Sequence, residues 1–213
     1  MKFIKRFRFA LLALAFLCVA ATGDKVTNVL IVGDSISIGY FPLVQKALAP
    51  GITVEHNDGN GGSTERGVAS MEKWLGNKQW DVILFNFGLH DMVYKDSLNK
   101  YDVVNGKLAV PLDVYRKNLE LIVAKLRETT AKLIFINTTV VPENSIGRKV
   151  EDPAKYNAVA LEVMKKNGVQ VLDLYAASQT IHPANSKPGN VHYTDKGYEL
   201  LADLVIKAIK SAL

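Results

Sequence analysis

The sequence feature that most constrains the fold is a short apolar run that ends in Gly-Asp-Ser. Residues 29–32 are all aliphatic, and Gly33, Asp34 and Ser35 follow at once. A continuous apolar run bounded by turn residues is typical of a strand buried on both faces of a parallel sheet. Ser35 then lies where the strand ends and a helix begins, at the edge where open α/β sheets bind ligands. Asp34 and Ser35 are also preferred helix N-caps, so these residues alone favour a cap and a nucleophile equally.

Apolar runs and helix-period segments alternate along the rest of the chain. The predicted strands are 29–32, 52–55, 81–88, 132–137 and 169–174, and the predicted helices are 39–48, 64–75, 113–128, 153–167 and 195–212. This alternation predicts right-handed βαβ units, a parallel sheet and helices on both faces. The irregular stretches 89–111, 138–152 and 176–192 each follow a strand, so we expect them at the functional edge.

The N-terminal segment has the composition of a targeting signal. Residues 1–8 are basic without any acid, residues 9–21 are almost wholly apolar, and the segment ends in small residues. This pattern predicts a secretory signal peptide over 1–21, a single domain over 22–213 and a secreted or periplasmic protein. An uncleaved anchor is the alternative, although the apolar run is shorter than the about 20 residues of a membrane span. We therefore expect no stable membrane insertion after cleavage.

Charge and cysteine content narrow the function classes. The net charge is +5, but four of the 26 Lys and Arg residues lie in the predicted signal. The remaining chain is close to neutral, which gives no support for nucleic-acid binding. The one cysteine, Cys18, also lies in the signal, so the mature chain would have no disulfide.

A glycine-rich loop, residues 59–64, follows the second predicted strand. Glycines allow backbone to approach a ligand closely and to adopt positive φ. A phosphate cradle and a plain turn are both compatible with this loop, but no Gly-Lys-Ser or Gly-Lys-Thr follows, so it is not a Walker motif.

Two histidines lie near predicted strand or helix ends. His90 follows the third strand, where it fits a base, a metal ligand, a hydrogen-bond donor or a structural residue. His192 precedes the last helix and can meet Ser35 at one rim of a doubly wound sheet. A serine hydroxyl needs such an imidazole to accept its proton before it becomes a good nucleophile. No His-x-x-x-His pattern or cysteine pair indicates a metal site.

Four pieces in this order resemble the SGNH (GDSL-type) hydrolase superfamily. They are Gly33-Asp-Ser35, Gly62-x-Thr64, Gly88-Leu-His90-Asp91 and Val191-His192-Tyr-Thr. The resemblance implies a flavodoxin-like three-layer α/β/α sandwich with a five-stranded parallel sheet. It also implies hydrolysis of carboxylic esters through an acyl-enzyme, with no metal and no organic cofactor.

The resemblance implies a role for each matching residue. Ser35 is the nucleophile, and His192 is its general base and later the acid for the leaving alcohol. The backbone N–H groups of Ser35 and Gly62 donate to the oxyanion, with Gly61 as the alternative to Gly62, and His90 supplies the third donor. The supporting residues are Asp34, Asp91 and Asn190. Asp91 is expected to fix the tautomer of His90.

This chain departs from the family pattern at two positions. His90 stands where the family usually has Asn, and a neutral imidazole N–H can take the same role. The acid that orients the histidine normally lies three residues before it, where this chain has Gly189. A backbone carbonyl or a carboxylate from elsewhere in the fold would then have to hold the His192 ring.

The substrate expected from these features is a small acyl ester, most plausibly an acetyl ester of a carbohydrate. A periplasmic lysophospholipase or thioesterase is the alternative, with an apolar groove built from Ile36, Tyr40 and the loop 92–111, in which Met92, Val93 and Tyr94 are the candidate lining. A catalytically degenerate carbohydrate-binding protein is the alternative from another class, suggested by Gly189. Phe87 and Arg148 are further candidates for the pocket, and His56 and His182 are assigned no chemistry.

Overall fold

The computed structural model describes residues 26–213, in which strands and helices alternate as expected. The strands are β1 (Thr27–Val32), β2 (Ile52–His56), β3 (Val82–Phe85), β4 (Tyr94–Lys95), β5 (Lys107–Leu108), β6 (Lys132–Ile136) and β7 (Gln170–Leu172). The helices are α1 (Ser35–Leu48), α2 (Thr64–Leu75), α3 (Leu112–Leu126), α4 (Asp152–Lys166), α5 (Leu174–Ala184) and α6 (Asp195–Ala212). The predicted signal peptide lies outside the described residues and stays a prediction.

Five strands form one parallel sheet in the order β2-β1-β3-β6-β7. Helices α2, α3 and α4 pack against one another on one face, and α1, α5 and α6 form the layer on the other. The fold is therefore the α/β/α sandwich that the alternation predicted. The chain moves from β1 outward to β2 and then returns to β3 on the other side of β1. This reversal creates the crevice at the strand ends where α/β proteins bind ligands.

The central strands explain why the sheet is buried on both faces. Every residue of β3 and the last four of β1 are aliphatic or aromatic and nearly inaccessible to solvent. Phe85 of β3 packs edge-on against Phe135 of β6, with ring centroids 5.3 Å apart. Burial of these side chains stabilises the sheet by about 1.5–3 kcal/mol each. The two strands that precede Ser35 and His90 are thus the most firmly held part of the molecule.

Several elements differ from the prediction. Strand β3 ends at Phe85 rather than at residue 88, because Asn86 turns its side chain to the carbonyl of Ile136 and the chain leaves the sheet. Helix α1 begins at Ser35, four residues earlier than predicted, and the segment predicted as irregular after β7 contains α5. The stretch 89–111 contains the short antiparallel hairpin β4–β5.

Among residues 26–213, none of the helices combines the length and the hydropathy that crossing a membrane would require.

Candidate active site

The turn between β1 and α1 presents Ser35 at the carboxyl edge of the sheet. Asp34 caps α1, since its carboxylate accepts the N–H of Ile36 at 3.0 Å. Ser35 is the first residue of the helix and is half-buried, so its hydroxyl remains accessible and its N–H has no helix carbonyl as partner. Both readings of Gly-Asp-Ser therefore apply together: the aspartate is the cap and the serine faces the rim.

The structure brings Ser35 and His192 together from opposite ends of the chain. His192 Nε2 lies 2.9 Å from Ser35 Oγ, within hydrogen-bond distance. On the other side of the ring, Nδ1 lies 2.8 Å from Oδ1 of Asn190. These contacts form a continuous Ser-His-Asn chain at the edge of the sheet. Neither of the two groups expected to hold the ring, a backbone carbonyl or a distant carboxylate, is the one that does.

A second hydrogen bond fixes which way the Asn190 amide points. The backbone N–H of His192 donates to the same Oδ1 at 2.9 Å. An N–H can only donate to the oxygen of the amide, so the oxygen faces the ring and Nδ1 must carry a proton. Nε2 is then the lone-pair nitrogen and can accept the proton of the Ser35 hydroxyl. Asn190 thus sets the same tautomer that an aspartate sets in a serine hydrolase.

Backbone conformation at Gly189 explains why no acid stands in the usual position. Gly189 has φ +70°, and a Cβ there would lie 3.0 Å from the carbonyl oxygen of Asn144. A side chain at this position would be strained by both its φ and this contact. The loop before His192 is therefore built for glycine, and the orienting group comes one residue later.

The glycine loop packs against the nucleophile turn through backbone atoms. The N–H of Gly61 donates to the carbonyl of Gly33 at 2.8 Å, so Gly61 has no free N–H for an oxyanion. The N–H of Gly62 donates to Oδ1 of Asn60 at 2.9 Å. Donation by Gly62 to a substrate stays a prediction, and it requires the Asn60 side chain to turn away.

His90 lies in the turn after β3, and its ring nitrogens form no hydrogen bond with residues 26–213. Burial lowers the pKa of His90, the nearby cations Arg148 and Lys95 lower it further, and Asp34 opposes them. The ring is therefore neutral at pH 7 and offers one N–H donor. This state suits the third oxyanion donor that the family resemblance implies.

Asp91 does not contact the His90 ring, contrary to the expectation that it fixes the tautomer. The two side chains diverge in the turn after β3, and Asp91 Oδ1 instead accepts from the N–H and the hydroxyl of Thr64, at 2.8 Å and 2.5 Å. Asp91 thus holds the first residue of α2 and, through it, the glycine loop. Burial raises the pKa of Asp91 to about 7, although the bonds from Thr64 oppose that rise.

Two further histidines have structural partners that the sequence did not reveal. His182 is buried, with Nε2 2.8 Å from the carbonyl of Asn190 and Nδ1 3.1 Å from the Ser186 hydroxyl, so it braces the loop that carries the Ser-His-Asn chain. His56 lies 2.7 Å from Ser37 Oγ. Ser37 is 1 % exposed, which removes it as a nucleophile for a solvent-borne substrate. A lone histidine in a sequence carries no signal for either contact.

The residues suggested for an acyl groove are mostly part of the core. Ile36, Tyr40, Met92 and Val93 are buried, and only Tyr94 is half-buried. Phe87 is also fully buried, so it does not face the pocket. Within the described chain, no three His, Cys, Asp or Glu side chains come together as a metal site would need.

The fold and the serine–imidazole pair together define a class, that of α/β/α proteins with a hydrolase-type pair at the carboxyl edge of a parallel sheet. Residues 31–200 match the model of the GDSL-like lipase/acylhydrolase family. The chain belongs to this family of ester hydrolases.

Similar proteins agree with this membership. The chain is 24% identical over 148 residues to an arylesterase of Vibrio mimicus, a match that covers 64% of this chain and 66% of that protein. It thus spans slightly less than two thirds of that relative. A lipase/acylhydrolase of Enterococcus faecalis has the same fold, with a TM-score of 0.71, 23% identity and coverage of 87% and 96% of the two chains. The acetylxylan esterase Axe2 of Geobacillus stearothermophilus is similar at a TM-score of 0.67 and 17% identity, covering 86% and 94%.

Proposed function

We propose that the protein is an exported serine esterase that removes small acyl groups, above all acetyl, from an ester through an acyl-enzyme. The observation that carries the proposal is the 2.9 Å contact between Ser35 Oγ and His192 Nε2, with the ring held by Asn190. This arrangement supplies a nucleophile, a base and an orienting group in the order that acyl transfer needs.

The reaction proceeds in two balanced steps. Ser35 Oγ attacks the ester carbonyl while its proton passes to His192 Nε2, and the imidazolium then protonates the leaving alcohol as the carbon–oxygen bond breaks. Water then attacks the acyl-enzyme while Nε2 takes its proton, and the imidazolium returns a proton to Ser35 Oγ as the bond between the acyl group and Ser35 breaks and the carboxylic acid leaves. The Ser35 N–H and the neutral His90 ring would donate to the oxyanion, each such donor being worth about 3–4 kcal/mol in the transition state.

The packing near Ser35 supports a short acyl group. The cavity next to the nucleophile turn, which is lined by Ile36, Ser37 and Tyr40 among others but not by Ser35, has a volume of about 10 Å³. That is room for about one water molecule and not for an acyl chain. A groove for longer chains would need side chains that instead lie in the core.

The sequence supports the proposed export, and similarity to another esterase supports a carbohydrate substrate. The proposed signal peptide over 1–21 supports secretion or a periplasmic location, and the acetylxylan esterase neighbour supports an acetylated carbohydrate. The alternative of a degenerate binding protein was suggested by Gly189, but Asn190 supplies the orienting contact that Gly189 cannot.

Hydrolysis of p-nitrophenyl acetate and p-nitrophenyl octanoate by the wild type and by Ser35→Ala tests the proposal. We expect the wild type to prefer acetate and Ser35→Ala to fall to the background rate. A preference for octanoate would favour a lysophospholipase or thioesterase. Equal background rates for both proteins would favour the binding protein and overturn the esterase proposal.

A further inference from the structure

Arg148 is fixed beside the candidate site by backbone carbonyls. It lies in the loop between β6 and α4, and its Nε–H donates to the carbonyl of Leu89 at 2.7 Å. One Nη1–H donates to the carbonyl of Ile146 at 3.4 Å. Leu89 immediately precedes His90, so these bonds hold the guanidinium next to the third motif block. The sequence had suggested Arg148 as a further candidate for the pocket.

The bond to Leu89, which precedes His90, places Arg148 on the catalytic side of its loop. Its charge interacts with Asp34, which directly precedes Ser35, and with the ring of His90. The loop itself reaches both halves of the site. Asn144 contacts Gly189 of the histidine loop, and the carbonyl of Gly147 accepts the N–H of Tyr94 in the hairpin.

The guanidinium is half-buried and lacks a direct counterion. A guanidinium has five N–H donors, and the two carbonyls engage two of them. No carboxylate among residues 26–213 forms an ion pair with it, whereas the exposed Arg116 pairs with Glu162. Burial lowers the pKa of Arg148, and the electrostatic interactions with Tyr101 and, to a smaller extent, with Asp34 only partly offset this effect. Partial burial of an unpaired charge is unfavourable, and a bound anion would relieve the cost.

A second cation, Lys95, lies in the hairpin that precedes α3. Lys95 is half-buried in β4, and it lowers the pKa of His90 together with Arg148. No carboxylate in the described part of the chain forms an ion pair with Lys95. Both cations therefore act electrostatically on the ring of His90, and Arg148 is also held by its bond to the carbonyl of the preceding residue, Leu89. A planar guanidinium with free N–H donors is suited to a carboxylate or a phosphate.

We propose that Arg148 forms a subsite for an anionic group, a carboxylate or a phosphate, carried by the ester substrate, and that Lys95 adds to the positive charge around it. This inference rests on the proposed esterase function and narrows its substrate class to anionic esters. The subsite holds the substrate by charge-assisted hydrogen bonds, while the Ser35–His192 pair acts on the ester a few bonds away. The anion can belong to the acyl part or to the alcohol part, and the two arms of the experiment distinguish them.

Paired substrates of nearly equal shape test the subsite. The acyl arm compares the p-nitrophenyl monoester of succinate with neutral p-nitrophenyl levulinate, and the alcohol arm compares 4-acetoxybenzoate with 4-acetoxybenzamide. In one arm we expect wild-type kcat/KM to be roughly ten- to a hundredfold higher for the anionic ester, as a hydrogen bond to a charged group predicts. That ratio should fall towards one in Arg148→Gln and keep part of its value in Arg148→Lys. Lys100→Gln, an equal charge change at an exposed position of the same hairpin, should keep the full ratio.

The outcomes separate this inference from the esterase proposal. Hydrolysis of the neutral esters with no anionic preference in either arm would overturn the subsite and leave the esterase intact. A loss of both rates in Arg148→Gln with the ratio unchanged would assign Arg148 to holding the loop and also overturn the subsite. Absence of hydrolysis of all four esters would reject the esterase function itself. The wild-type ratio should also fall as salt rises, because exposed parts of the subsite are screened, and this readout needs no variant.

Discussion

Exchanging Asn190 for aspartate tests how the imidazole is held. In the wild type, Oδ1 of Asn190 accepts both the backbone N–H and the ring N–H of His192, at 2.9 Å and 2.8 Å. Asp keeps both acceptor contacts and adds a negative charge next to the imidazolium that forms during catalysis. The substitution therefore isolates the contribution of charge from the contribution of tautomer.

The size of the effect follows from exposure. Two unit charges about 4 Å apart attract by about 1 kcal/mol in water and by about 4 kcal/mol near a protein surface. Because His192 is exposed, we expect the added attraction between the carboxylate and the imidazolium to be about 1–2 kcal/mol. This corresponds to a rate gain of roughly five- to thirtyfold. The gain is much smaller than the about four orders of magnitude lost when serine proteases exchange the acid for Asn, because there the tautomer is also wrong.

The assay is the pH profile of kcat/KM for p-nitrophenyl acetate with wild type, Asn190→Asp and Asn190→Ala. Asn190→Asp should raise the plateau and move the acidic limb to higher pH, because the carboxylate favours the imidazolium. Asn190→Ala should lose about a hundredfold, since the ring is no longer aimed. Gly189→Asp, which places the acid at the usual family position, should lower the melting temperature without raising the rate. A large loss in Asn190→Asp, or an unchanged rate in Asn190→Ala, would refute the reasoning.

Three further results are expected. The pKa of Asp91 is raised from 3.8 to about 7, so Asp91 binds a proton in the folded state that the unfolded chain releases. Stability is then lost as pH rises from about 4 to 7, by about 4 kcal/mol. In denaturant unfolding, the stability of Asp91→Asn should not show this fall between pH 4 and pH 7. If Asp91→Asn instead became less stable relative to the wild type as the pH rises to 7, the raised pKa of Asp91 would be contradicted. His90→Ala should lower kcat more than KM while His90→Asn retains part of kcat, and steady-state kinetics showing an unchanged kcat would remove His90 from the oxyanion site. A Cβ at Gly39 would lie 2.1 Å from the Tyr198 ring, so Gly39→Ala should lower the melting temperature by separating α1 from α6, and an unchanged transition would contradict that packing.

The fold was predictable because its signals are periodic and local. Helices α2 and α6 begin and end at the predicted residues, and each buried strand coincides with an aliphatic run. Helix α5 was missed because it starts two residues after β7, without an intervening loop, and carries Pro183 near its end. The first turn of α1 was missed because Gly-Asp-Ser resembles a turn, although Asp34 is in fact its cap.

The sequence predicted which residues meet in the site, but not how their side chains are oriented. Ser35 and His192 were predicted to meet because both precede helices at one edge of the sheet, and the structure places them 2.9 Å apart. The amide of Asn190 was not singled out as the group that orients the ring, since its function depends on one backbone N–H that fixes its orientation. Adjacent positions such as His90 and Asp91 were expected to interact, but the turn after β3 separates their side chains.

Labelling of the nucleophile tests the central claim most directly. Intact-mass and peptide mass spectrometry after reaction with an active-site fluorophosphonate would show which hydroxyl has formed the covalent bond. We predict one label per chain, located on Ser35, absent in Ser35→Ala and formed much more slowly in His192→Ala. Ser37, two residues away and paired with His56, serves as an internal control. A label on Ser37, or none at all in the wild type under conditions where it hydrolyses the ester, would contradict Ser35 as the nucleophile.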